Sequence, residues 1–481
     1  MFDAAATVHK MGAPLTALSC DSHHIPPNAA FVAYPGDKAD GRDYIPQAIQ
    51  AGAAGIFWDP ADFSWSETWH TPHVAVPELR SRTGLLANFV YNEPSQKMFT
   101  AAITGTNGKT TIAHLAALLM SHSGRRTAVV GTLGAYLPGE IPQPTGNTTP
   151  EAIALQAFLQ SFCQAGAEAA MIEASSHGIV QGRLAGVQLE AAVFANAGRD
   201  HLDYHGDIES YHRSKAQLFE SSGLPLAILN ADDEYCAQLA PQLAAAGKRV
   251  LTYGRRGTAL RLLALQSDAD GQTLELDGDD GWRRVWLPFA GAHNAHNFMA
   301  AALLARAGGG SWASFSTAVP TLPEGRLQRI NNGGNTAQPA IYVDYAHTPD
   351  ALTAALAALR QHGNRLWLVC GCGGERDRGK RALMGKVAAT ADVGIVTDDN
   401  PRDEEPAAIR ADVLAGGGGR LQEIAGRGEA ITWVITQAAA TDTILIAGKG
   451  HENYQDIAGK RHYFSDADTA QTALKKRNGT C

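Results

Sequence analysis

The chain has 481 residues, and at roughly 100–200 residues per domain that length predicts about three domains. A hydrophobic fraction of 45% suffices for several cores, while a net charge of −8 with no basic tract argues against a nucleic-acid partner held through its phosphates. No apolar run approaches the ~20 residues needed to cross a bilayer, the N-terminus lacks a signal-peptide pattern, and the six scattered cysteines give no zinc-site spacing; a cytoplasmic enzyme is expected.

Residues 1–92 are expected to form a small α/β unit. Strands are predicted at 31–33, 55–57 and 74–76, and helices at 45–51 and 80–91, the second stopped by Asn92-Glu93-Pro94. A second unit is expected over 93–323. Phe99 and Ile103 mark an apolar strand that enters Gly105-Thr106-Asn107-Gly108-Lys109-Thr110-Thr111. Ile112, Leu115, Ala116 and Leu119 then recur at helical spacing. Strand, glycine turn and helix N-terminus make a phosphate cradle: backbone N–H groups face the phosphates, Lys109 reaches the outer ones and the Thr110 hydroxyl can hold Mg²⁺. Ile103 stands where the usual pattern has its first glycine, so this is a shortened variant.

Short apolar runs at 128–131, 170–172, 191–194 and 226–229 are the signature of a parallel sheet buried on both faces. Over 256–290 the pattern alternates around Asp277-Gly278-Asp279-Asp280-Gly281, which suggests a hairpin or small antiparallel sheet. A third unit is expected over 324–481. Thr348-Pro349-Asp350 starts a helix that Gly363 ends, strands are predicted at 366–369, 393–396 and 444–447, and 416–419 reads as a flexible glycine loop without a ligand role. The fold class is therefore α/β in three domains: a central P-loop-type, mostly parallel sheet with flanking helices, a smaller N-terminal α/β domain and a Rossmann-like C-terminal one.

Ligands of open α/β sheets bind beyond the carboxyl ends of the strands. Glu173 and Ser175 follow one such strand: the carboxylate is a natural Mg²⁺ partner for a nucleotide, or else the cluster caps the next helix. Residues 196–206 follow another and gather Arg199, Asp200, His201, Asp203 and His205, either as metal or substrate contacts or as a self-paired surface loop. In the third domain four charged loops each follow an apolar strand and should meet along one edge: Asp344 to Pro349, Cys370 to Arg381, Asp398 to Arg402 and Gly448 to Glu452. An edge offering Arg forks and carboxylates together suits a zwitterion such as an amino acid.

Together these motifs resemble the Mur ligase family, ATP-dependent enzymes that build the peptide of the bacterial cell wall. The resemblance runs through all three domains and includes Gly146-Asn147-Thr148-Thr149, residues 293–297 and Gly325-Arg326; Asp399-Asn400-Pro401-Arg402 resembles the signature of members that add meso-diaminopimelate rather than lysine. It implies a ligase acting on small molecules: ATP, UDP-N-acetylmuramoyl-L-Ala-D-Glu and meso-diaminopimelate, with no nucleic-acid or membrane partner and a monomeric state. It implies that Gly105 to Thr111, Asn297 and Arg326 bind ATP, and that Lys109, Glu173, His201, Lys215 and Asp344 are catalytic. Mg²⁺ would be held by Thr110, Glu173, His201 and Lys215, the lysine carrying a CO₂-derived carbamate. Ser22, Asp37, Lys38, Ala39, Asn147, Thr148, Thr149, Ser175, Gln181 and Arg183 would hold the nucleotide sugar and its dipeptide. Arg376, Asp399, Asn400, Pro401, Arg402, Gly448 and Glu452 would hold diaminopimelate. Ala197-Gly198 stands where relatives carry bulkier residues.

Overall fold

Buried, continuously apolar runs can satisfy their backbones only against one another, and most of them do so as parallel strands with helices on both faces. The computed structural model describes residues 2–37, 39–221, 223–268, 270–315, 317–330, 338–360 and 362–477. Among these residues the strands form three large sheets, one after another along the chain, and a small hairpin.

The first sheet runs Ala17–Ser19, Ala29–Ala33, Gly55–Trp58, His73–Ala75, all parallel. Leu79–Val90 covers one face through Leu79, Leu86 and Val90, and Ile45–Gln50 covers the other through Ile45 and Ala48. Ala17–Ser19 was not anticipated, being too short to show a period. The strand expected at 74–76 lies one residue earlier.

The second sheet has ten strands. Its parallel heart is ordered Arg249–Gly254, Leu226–Asn230, Ala191–Phe194, Phe99–Thr104, Ala169–Glu173, Thr127–Gly131. Phe99–Thr104, fully buried, lies in the middle, so the turn that follows it opens at the centre of the sheet's carboxyl edge. Helices Lys109–His122 and Ala292–Ala307 pack on one face. The alternating stretch becomes Leu260–Ser267, Gln272–Gly278 and Gly281–Leu287, an antiparallel meander appended to this sheet, with the anticipated turn between the last two.

The third sheet is ordered Gln328–Arg329, Ala340–Asp344, Thr443–Ala447, Leu366–Cys370, Val393–Val396, Leu421–Glu423, parallel except at the first strand. Pro349–Leu359 begins as expected: Thr348 Oγ1 accepts from the Ala351 N–H, with proline at the first helical position. Of the glycine run read as a loop, 417–419 do form a turn, and only Gly416 differs. Gly416 ends the helix Pro406–Gly416, and a Cβ there would sit 1.9 Å from Ala382 O; one on Gly385 would sit 1.8 Å from Val413 O. These two glycines let helices Gly379–Ala388 and Pro406–Gly416 touch backbone to backbone. No described helix is long and apolar enough to cross a membrane.

Candidate active site

The carboxyl edges of the second and third sheets face a shared cavity of about 1770 Å³, larger than the 300–1,000 Å³ common for a single small ligand. On one wall the strand Phe99–Thr104 turns into the helix Lys109–His122 through Gly105 (φ 147°) and Gly108 (φ 88°). A Cβ on Gly108 would lie 2.5 Å from Asn297 Oδ1, so the missing side chain admits the asparagine from helix Ala292–Ala307. Lys109 Nζ donates to the carbonyls of Gly105 (2.8 Å) and Thr106 (3.0 Å), and burial lowers its pKa against the pull of Glu173 and Asp200.

Glu173 ends the neighbouring strand and is almost wholly buried. Its Oε2 accepts from Thr110 Oγ1 (2.9 Å) and Thr132 Oγ1 (3.0 Å), and its Oε1 from the Thr132 N–H (2.9 Å). A Cβ on Gly131 would fall 2.0 Å from Glu173 Oε1, so glycine keeps the space that the carboxylate fills. Arg326 Nη2, from the third domain, donates to Thr110 Oγ1 (3.3 Å). Asp344 clamps its own domain: Oδ2 accepts from the Leu327 N–H (2.6 Å) and Oδ1 from the Ala346 N–H (2.8 Å), while burial pushes its pKa up.

His201 follows the next strand in a left-handed conformation (φ 53°), its Nε2 3.5 Å from Asp200 Oδ2. Burial lowers its pKa to about 3, which leaves a neutral imidazole. Lys215, on helix Ile208–Ala216, is buried with Nζ 4.1 Å from the centroid of the Tyr211 ring. Desolvation and the nearby Lys109 charge hold its ammonium well below the usual lysine range.

Thr148 Oγ1 accepts from Thr132 Oγ1 (3.1 Å), and Thr149 Oγ1 donates to Glu173 O (2.8 Å) while accepting from the Ser175 N–H (2.9 Å). Arg183 donates to Thr149 O (2.7 Å) and Gln181 Oε1 (2.6 Å). Asn147, Thr148, Ser175 and Arg183 line the cavity; Thr149, Gln181 and Lys215 are not part of that lining.

On the opposite wall the four charged loops come together. Asn400 Nδ2 donates to Glu452 Oε2 (2.9 Å), and the buried Lys449 Nζ donates to Asn400 Oδ1 (3.0 Å) and Glu452 Oε2 (3.1 Å). A Cβ on Gly448 (φ 116°) would lie 2.6 Å from Asp399 Oδ2. Arg402 (φ 52°) donates through its N–H to Asp456 O (2.9 Å), and through its guanidinium to Gly374 O. Arg376, Asp399, Asn400, Arg402, Gly448 and Glu452 all line the cavity, whereas Pro401 does not.

The first-domain residues lie apart from this lining. Ser22 Oγ donates to Gln47 Oε1 (2.9 Å), and Asp37 takes a two-pronged contact from Arg80 (2.6 and 2.7 Å) beside Ala39. Lys38 lies outside the described residues. Two residues that hold the site were not named as site residues from the sequence, although Asn196 opens the charged loop 196–206. Thr132 binds Glu173, and Asn196 ties the phosphate loop: its Oδ1 accepts from the Asn107 N–H (2.9 Å) and its Nδ2 donates to Asn107 O (3.0 Å). Both follow a strand's carboxyl end, the position that singled out Glu173.

Comparison with known proteins gives three consecutive family matches: "Mur ligase family, catalytic domain" over residues 14–91, "Mur ligase middle domain" over 103–305 and "Mur ligase, glutamate ligase domain" over 325–450. The chain is 42% identical over 477 residues to a UDP-N-acetylmuramoyl-L-alanyl-D-glutamate–2,6-diaminopimelate ligase of Chromobacterium violaceum, covering 98% of this chain and 96% of that one. It is 42% identical over 470 residues to the protein of the same name from Neisseria meningitidis serogroup A, covering 96% and 95%. A solved structure of a ligase with that name is 36% identical, with a TM-score of 0.67 over 97% of this chain and 96% of that one. The MurF ligase of Thermotoga maritima in complex with ADP, 17% identical, shares the fold over 99% of both chains with a TM-score of 0.69.

Proposed function

The chain belongs to the Mur ligase family, and from that premise we propose that it joins meso-diaminopimelate to the D-Glu side-chain carboxylate of UDP-N-acetylmuramoyl-L-Ala-D-Glu at the expense of ATP. One observation carries this reading: a phosphate loop with its carboxylate partner, Thr110 and Glu173, faces a zwitterion-binding edge, Asn400, Arg402 and Glu452, across one cavity.

A carboxylate is a poor electrophile until a leaving group is put on it. The D-Glu oxygen attacks the γ-phosphorus of ATP, the bond to the bridging oxygen breaks and ADP leaves, giving an acyl phosphate. Lys109, at the start of its helix, and the loop N–H groups stabilise charge on the transferring group. The neutral amine of diaminopimelate then attacks the acyl carbon; phosphate departs and the amine proton is released. Arg402 has N–H donors left for the distal carboxylate, and Glu452 with Asn400 can take the ammonium beside it. Water has to be kept out, because it would hydrolyse the acyl phosphate.

Thr110 and Glu173 supply the hard oxygen donors that suit Mg²⁺. Among the described residues no three His, Cys, Asp or Glu side chains already form a metal cluster. A carbamate on Lys215 would add a carboxylate close to Lys109 and Asp200, the two groups that also act on the neutral His201; the buried, readily deprotonated amine has the chemistry to capture CO₂. Bound there, the metal would offset the negative charge of the phosphates. Asn297, beside Gly108, and Arg326, bonded to Thr110, would hold ATP next to the phosphate loop, and Asp344 orders the segment carrying Arg326 through Leu327.

The test is phosphate release and product analysis with ATP, Mg²⁺ and the nucleotide dipeptide, with diaminopimelate, with L-lysine and with no amino acid. Tripeptide formed only with diaminopimelate is expected. Equal use of lysine would overturn the Arg402 specificity, and release that ignores the amino acid would overturn the ligase.

A further inference from the structure

Residues 196–201 touch three working parts of the molecule at once. At one end Asn196 clasps Asn107 of the phosphate loop, and its carbonyl accepts from the Thr106 N–H (3.0 Å). At the other end stands His201. Between them every residue from 198 to 200 meets the third domain. A Cβ on Gly198 would lie 2.8 Å from Asp350 Oδ2. Arg199 Nε donates to Asp377 Oδ2 (3.2 Å), and a Cβ on Gly379 would lie 2.9 Å from the Arg199 guanidinium, so glycine makes room for that arginine. Asp200, buried, accepts from Lys380 Nζ (3.2 Å) and lies 3.4 Å from His347 Nε2, both on the third domain.

The charges are reciprocal: an Arg then an Asp on the second domain meet an Asp then a Lys on the third. We propose that residues 196–201 are a latch that transmits docking of the third domain to the phosphate loop and to His201, with Arg199 and Asp200 as positioning residues. The inference rests on the ligase reading for the roles of those two ends. Its physical reason is short range. Asp200 holds Lys380 with one carboxylate oxygen while the other faces both His347 and His201, so the third domain cannot leave without freeing the neighbour of His201. Gly198 leaves space for the Asp350 carboxylate, and a side chain there would make that carboxylate move.

The experiment is a charge exchange in the full-length protein. Arg199→Glu and Asp377→Arg each place like charges together, and the double variant restores an opposite pair. Each single change is expected to lower kcat for tripeptide formation roughly tenfold, with KM for the nucleotide dipeptide within about twofold, and the double variant to recover most of kcat. Asp377→Asn, which removes charge with little change of shape, should give a smaller loss in the same parameter. Small-angle scattering with a non-hydrolysable ATP analogue and the nucleotide dipeptide should show the wild type more compact than either single variant. Single-variant losses that follow melting temperature, or a double variant no better than the singles in both kcat and compaction, would overturn the latch. If the wild type forms no tripeptide, the ligase reading fails instead, and the compaction comparison still decides the latch.

Discussion

Lys215 Nζ lies over the face of Tyr211, 4.1 Å from the ring centroid, one turn along the same helix. Burial and Lys109 outweigh the attraction of Asp200, so the amine is depressed well below a free lysine. The unfolded chain therefore binds the extra proton between the two pKa values, and this group's contribution to stability rises with pH through that window. At neutral pH the bare lysine is a burden on the fold. Lys215→Met is expected to melt higher than the wild type while losing roughly 100-fold or more in kcat. Acetate or propionate should restore part of the activity of Lys215→Ala, and ¹³CO₂ should label a carbamate carbon in the wild type alone. A fully active Lys215→Met would end the carbamate reading.

Glu173→Gln tests whether the carboxylate is needed as an acceptor on both oxygens. The amide would turn N–H donors toward the Thr132 N–H or the Thr110 hydroxyl, leaving a buried donor unpaired at about 1–3 kcal/mol. We expect a lower melting temperature, a higher Mg²⁺ requirement and kcat reduced by roughly 100-fold or more. Unchanged Mg²⁺ dependence would remove Glu173 from the metal site.

Gly416→Ala and Gly385→Ala press a methyl group into the facing helix, where the approaches are 1.9 and 1.8 Å. Each should destabilise by about 1–3 kcal/mol, as overpacking does. The contact lies behind the third sheet, so KM for ATP in the folded fraction should stay within about twofold. Denaturant titration beside steady-state kinetics separates the two effects.

Acid should act through buried imidazoles. His114 and His293 are pushed down to about 4 and His451 to about 3, each chiefly by burial. A depressed folded-state pKa means the unfolded chain takes up the proton first. The stability these groups allow is present above about pH 6.5 and falls as pH drops toward 4. Melting temperature should decline across that interval, and His114→Gln should flatten the decline. A decline unaffected by that change would assign the acid response elsewhere.

The parts of the site that could be read in the sequence are those fixed by local rules. Gly105 to Thr111 declares itself because turn, lysine and helix start are contiguous, and Glu173, Asp344, Asp399 and Gly448 because each follows a short apolar run. Thr132 escaped notice because its strand looked complete at Gly131. The pairing of Asp200 with Lys380 spans 180 residues and leaves no periodic trace. Lys215 is one lysine on an amphipathic helix; resemblance, not spacing, singled it out. Gly416 looked like slack because glycine serves both freedom and close approach, and the sequence does not show the helix that approaches.

The order of strands in the third sheet has a bearing on synthesis. Ala340–Asp344 and Leu366–Cys370 are not paired to each other; Thr443–Ala447 lies between them. The nascent chain thus completes the strands of the second sheet by Leu287, long before the strand that unites the third sheet is made. Until then two apolar strands wait with open edges, a state prone to wrong pairing. A chain stopped between Asp344 and Thr443 would keep the phosphate loop, Asn297 and Arg326 and lose the strand that joins the third sheet.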